Sequence, residues 1–102
     1  MKKTKSMIYR PSEESRELVL YAENTGELYR RYIVPVIQCL HKKYVKGTFN
    51  IEKSIPLWYN MATEASKMYN REFGYGFTVT DRYTAACDLA ESFLDNIKEG
   101  ID

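Results

Sequence analysis

The chain has 102 residues, 44% of them hydrophobic and 28% charged, with a net charge of +1. That length fits one domain, and the composition is that of a folded globule rather than a disordered chain. Nearly cancelling charge disfavours a strongly basic nucleic-acid binder and an acidic DNA mimic as descriptions of the whole chain, and five glycines with three prolines are too few for a many-stranded β fold.

Residues 1–12 are basic, interrupted by Pro11 and without period, and read as an N-terminal arm. The start lacks the apolar stretch of about 7–15 residues that a signal peptide needs, so export is not expected. No run of about 18 apolar residues occurs, so no bilayer span is expected. Residues 13–102 read as a single helical domain. Within it, the apolar run around Leu18, Val19 and Leu20 is too short to distinguish a short helix from an edge strand.

Asn24 followed by Glu27 resembles a capping box and predicts a helix start. Apolar residues then recur at Tyr29, Ile33, Val36, Leu40 and Tyr44, one face of a helix flanked by Leu28, Tyr32 and Ile37. Pro35 falls inside this pattern and should kink it. The helix should end near Lys46-Gly47, where His41, Lys42, Lys43 and Lys46 complement the helix dipole. Asn50 predicts the next cap, with Phe49 as a staple, ahead of a seam at Ile51, Ile55, Trp58, Ala62, Ala65 and Tyr69. Pro56 either kinks this helix or lies in the first turn of one capped by Ser54. Gly74 and Gly76 break it. Thr78 or Thr80 caps a last helix with its seam at Val79, Tyr83, Ala86, Ala90, Phe93 and Ile97, and Gly100 stops it. The expectation is an all-α three-helix bundle with a short N-terminal arm or extra element.

The stretch Lys46-Gly47-Thr48-Phe49-Asn50, with Ile55, Ala65, Tyr69, Glu72-Phe73, Arg82, Ala86, Leu89-Ala90 and Phe93, resembles a group of short proteins encoded by bacteriophages and other mobile elements. They share a KGT-aromatic-Asp/Asn element, a Tyr-x-x-Glu-Phe-like helix end and a last helix beginning near an arginine. The resemblance spans residues 26–97; Pro35, Pro56 and the short Tyr75-Gly76-Phe77 loop depart from it. The group has no assigned activity. The resemblance implies a cytoplasmic accessory factor that binds a bacterial host or defence protein, with a CRISPR–Cas nuclease the most specific partner.

Catalytic templates are missing. A single histidine, His41, among lysines excludes every two-histidine metal site, and no phosphate loop or nucleophile elbow occurs. His41 reads as a structural surface residue at a helix end. Cys39 and Cys87 are 48 residues apart and form no zinc set or redox pair; they read as half-buried free thiols of a reducing compartment. No cofactor is expected, and the chain reads as a non-enzyme.

Charge is unevenly placed. Residues 1–51 hold ten basic and five acidic side chains, and residues 52–102 hold five and nine. At about 100° per residue, Asp81, Asp88, Asp95, Glu99 and Asp102 project onto one stripe of the last helix. That stripe reads either as a wet face or as a contact for a basic protein surface. Tyr75 and Phe77 in the loop are candidate anchors for such a contact, or else rings folded back onto the bundle end. The basic set Arg30, Arg31, Lys42, Lys43 and Lys46, extended by Lys2, Lys3 and Lys5, is the alternative, a nucleic-acid contact. Tyr32 and Trp58 fit either core or surface roles.

Overall fold

A computed structural model describes residues 12–100; the expectations for the arm residues 1–11, Lys2, Lys3 and Lys5 included, and for Asp102 lie outside the described residues. Every element among the described residues is helical. The run left open between helix and strand is a helix, α1, Glu13–Asn24. Ser12 caps it. The Ser12 hydroxyl accepts from the Ser15 backbone, the Ser15 hydroxyl accepts in return, and Glu13 and Glu14 fill the first turn. Ser15, Leu18, Val19 and Ala22 are buried while Leu20 is 54% exposed. That is helical spacing, because a strand would place 18, 20 and 22 on one face.

Asn24 caps nothing. It ends α1, and Thr25 occupies the junction with its hydroxyl turned back to the Tyr21 carbonyl at 2.6 Å. The next rod, α2, runs through Gly26–Leu28, a π-helical turn Tyr29–Ile33, and Val34–Lys46. In that turn the Val34 N–H reaches the Tyr29 carbonyl, five residues back. Pro35 follows directly. Its ring crowds the carbonyl one turn earlier and it has no N–H to donate, so a widened turn ahead of it relieves the clash. The bulge also shifts the buried face to Leu28, Ile33, Ile37 and Leu40, and leaves Tyr44, expected on the seam, 41% exposed.

Gly47 ends α2 in the left-handed conformation, φ 81°. Its N–H bonds to Tyr44 and that of Thr48 to Lys43, which satisfies the last carbonyls in a Schellman arrangement. Asn50 then caps α3, Ile51–Phe73, by accepting from the Lys53 backbone at 3.1 Å. Pro56 therefore lies inside α3, and Ser54, offered as the alternative cap, is buried with its hydroxyl on the Ile51 carbonyl. Gly74 closes α3 at φ 73°. Thr78 and Asp81 form a reciprocal capping box for α4, Val79–Ser92, and a break at Phe93 separates α5, Leu94–Glu99.

The most extensive packing is between α3 and α4. The third partner of that pair is α1, while α2 packs chiefly against α5 and touches α3 little. The fold is thus an all-α bundle in which the extra element is an integral helix. The core runs through all of it: Leu18, Leu28, Ile33, Ile37, Trp58, Ala62, Ala65, Ala85, Ala86, Leu89 and Ile97 are fully buried.

If α1 belongs to the core, Leu18→Ala should lower stability by about 2–5 kcal/mol. Leu20→Ala should leave it within about 0.5 kcal/mol. Urea unfolding followed by circular dichroism checks both; equal losses at the two positions would mean that α1 is not docked as a helix.

Candidate functional site

The loop Gly74–Thr78 brings the chain back along α3. Phe77 lies beside Tyr69, their ring centroids 5.0 Å apart, and Arg82 lies beside Tyr59. Arg82 holds this return in place: its guanidinium donates to the Phe77 carbonyl at 2.7 Å and to the Tyr59 hydroxyl at 3.2 Å, and sits 5.7 Å from the Tyr59 ring centre. Of the two loop aromatics, Phe77 is buried at 5% exposure and Tyr75 is 44% exposed. Phe77 is therefore a ring folded onto the bundle, and only Tyr75 presents itself as an anchor.

Tyr75 is part of a larger cluster. Tyr21, Tyr69, Phe73, Tyr75 and Phe77 pack in a connected set of edge-to-face and tilted contacts. Their hydroxyls reach acidic partners. Tyr21 donates to Glu72 at 3.0 Å and Tyr69 to Glu17 at 3.3 Å. Partial burial, followed by the nearby carboxylates, raises both phenol pKa values, so both stay protonated and able to donate at neutral pH. Beside the cluster an open recess of about 420 Å³ is lined by Glu13, Glu14, Glu17, Tyr69, Tyr75 and Phe77. The sequence marks Tyr75 and Phe77 but not the three glutamates, because with Ser12 in the arm nothing sets residues 13–23 as a helix whose first turns face the loop.

The acidic stripe is projected along one continuous helix, whereas the break at Phe93 divides its described residues between α4 and α5. Asp81 is engaged by the Thr78 cap. Asp88 is half-buried where α4 meets α1, facing Arg16, Glu23 and Glu91. Asp95 and Glu99 are exposed on α5, and Asp95 lies in its first turn, the favourable end for an anion. The seam of the last helix also shifts: Val79 and Tyr83 are 63% and 48% exposed. With Ile55, Pro56, Tyr59, Asn60 and Thr80 they line a shallow apolar recess of about 560 Å³.

The basic set is exposed but divided. Arg31 pairs with Glu27 at 2.8 Å and Arg30 folds over Gly26. Roughly 18 Å of helix separates them from Lys42, Lys43 and Lys46. His41 is half-buried rather than a free surface residue. Its Nδ1 lies 2.7 Å from the Ile97 carbonyl, and a Cβ on Gly100 would meet the ring at 2.9 Å. Trp58 is core, fully buried and stacked on Phe93, while Tyr32 is half-buried against the core. Cys39 is exposed and Cys87 buried, both free thiols. Among the described residues no His, Cys, Asp and Glu side chains converge in a group fit for a metal, and no helix is long and apolar enough to cross a membrane.

At the α1–α4 contact, burial first and Glu91 second raise the carboxyl pKa of Asp88, against a lowering pull from Arg16. Burial and Asp88 raise that of Glu23. An acid that binds its proton more tightly when folded gains stability as pH falls through the raised value. The gain is complete below its ordinary value, and at pH 7 the charged pair opposes folding. Asp88→Asn should therefore raise Tm at pH 7, through a stability gain of less than about 1 kcal/mol because both groups are partly solvated. The advantage should shrink as the pH falls toward 4. Melts across that range check it, and a less stable Asn variant at pH 7 would mean that the Arg16 attraction dominates.

Comparison with protein-family models, with curated proteins and with solved structures finds no match to the chain.

Proposed function

We propose that the chain is a non-enzymatic accessory protein of a phage or mobile element, acting in the bacterial cytoplasm by binding a host or defence protein. A CRISPR–Cas nuclease is the most specific partner of that kind. The observation that carries the reading is the aromatic and acidic end of the bundle. Exposed Tyr75 lines a recess rimmed by Glu13, Glu14 and Glu17, and exposed Phe73 belongs to the same ring cluster. Exposed tyrosine beside a polar rim has the composition of a protein contact. Residues of this kind also contribute little to the stability of the isolated fold. On this reading the contact surface is Glu13, Glu14, Glu17, Tyr69 and Tyr75, with the buried Phe77 as its floor, while Asp95 and Glu99 on α5 are peripheral to it.

The nucleic-acid alternative has less support, because Arg31 is paired with Glu27 and the arginines and lysines of α2 stand at its two ends.

Capture from a nuclease-treated bacterial lysate with tagged protein should retain one host protein in stoichiometric amount. The double variant Tyr75→Ala/Glu14→Lys should lose it with Tm changed by only a few degrees, while Asp95→Lys/Glu99→Lys should keep it. Where the retained protein is a Cas nuclease, purified chain should inhibit its DNA cleavage. Loss of the retained protein on nuclease treatment, or retention by the Tyr75→Ala/Glu14→Lys variant, would overturn the assignment of this surface.

A further inference from the structure

The recess at the α1 end has walls and rim of different chemistry. Its walls are three rings. The planes of Tyr69, Tyr75 and Phe77 are inclined to one another by 67–78°, with centroids 4.9–6.4 Å apart, so they form a corner rather than a stack. Aromatic faces carry the negative side of the ring quadrupole and attract a cation within about 6 Å. The rim is Glu13, Glu14 and Glu17. Among the described residues the ion pairs are Arg31–Glu27 and Lys67–Glu64, so none of the three rim carboxylates is neutralised there. Helix-dipole complementation accounts for Glu13 and Glu14 in the first turn of α1. It does not account for Glu17, one turn further on, which accepts the Tyr69 hydroxyl and so joins rim to wall.

A purely apolar guest would gain nothing from the carboxylates, and a simple ion has no apolar stem to bury against the rings. A cation on an apolar stem uses both. A guanidinium is planar and favours a flat stack on one ring; three steeply inclined rings offer a corner, which suits the compact ammonium better. We propose that this recess receives a lysine side chain from the bound partner, its methylenes against Tyr75 and Phe77 and its ammonium among Glu13, Glu14 and Glu17. The inference rests on the binding reading above and names the chemistry of the partner at that surface.

The test is an NMR titration of the full chain with tetralysine, with fully Nε-acetylated tetralysine as the uncharged control. Tetralysine should shift the ring resonances of Tyr69 and Tyr75 saturably, and less at high salt. The acetylated peptide should give little response. Tyr75→Ala should weaken binding about two- to fivefold, and Glu14→Gln/Glu17→Gln should weaken it and flatten its salt dependence. Neither change touches the buried core, and the melting curves of both variants verify folding. Equal response to the acetylated peptide, non-saturating drift, or shifts centred on Asp95 and Glu99 would each overturn the lysine site. If tetralysine fails while a host protein is still captured through Tyr75 and Glu14, the lysine assignment falls and the binding reading stands. If tetralysine binds as expected but no host protein is captured, the site stands and the binding reading falls.

Discussion

The bundle depends on close approach along α3. This helix buries Ala62, Ala65 and Ser66, and α4 buries Ala85, Ala86 and Ala90. Small side chains on both members of the most extensively packed pair let the two backbones come near, and added volume there would overpack the contact. Large apolar groups come from every element: Leu18 and Val19 from α1, Leu28, Ile33 and Ile37 from α2, Met61 from α3, Leu89 from α4, Ile97 from α5, and Trp58 with Phe93 where α3 meets the α4–α5 break. Because α4 is packed by both α3 and α1, it buries more than one stripe, including Thr84 through Cys87. That arrangement pushes Val79 and Tyr83 outward.

The features legible in the sequence are those that a short segment settles by itself. Lys46-Gly47-Thr48-Phe49-Asn50 is one such segment. Gly47 is the residue suited to the left-handed stop, Thr48 closes on Lys43, Phe49 meets Tyr44 edge-on at 6.4 Å, and Asn50 caps the next helix. The middle of the α3 seam, Trp58, Ala62 and Ala65, is equally local and equally buried. The α1 helix was not legible because eleven residues with one apolar run satisfy two periodicities at once. The signal that separates them, Ser12 with Ser15 and two following glutamates, lay across the assumed boundary of the arm.

Other features depend on contacts far apart in the chain. Pro35 announced a disturbance but not its form; the π turn puts a step of five between Leu28 and Ile33, which a fixed period of 3.6 cannot reproduce. No glycine or proline marks Phe93, yet the helix breaks there and α5 packs on α2, with the His41 ring against the Ile97 carbonyl. The break divides the acidic residues between two helices, and a projection holds only along an unbroken axis. The lysines around His41 suggested an exposed ring, but an imidazole can satisfy a helix-end carbonyl while its neighbours on the other faces remain in water.

The aromatic end shows how a stable fold can carry a surface of this composition. Phe77 is anchored beneath the cluster, and Arg82 fixes the loop that delivers it by holding the Phe77 carbonyl and the Tyr59 hydroxyl together. Tyr69 is braced by four other rings and by Glu17, and Tyr21 by Glu72. Each ring therefore has its orientation set by neighbours in the free protein, and little side-chain freedom remains to be lost when a partner arrives. The carboxylates stand at the exposed edge, where they can accelerate encounter with a cationic surface. On the proposed binding reading, charges at the rim would govern approach, and the rings beneath would govern which side chain can stay.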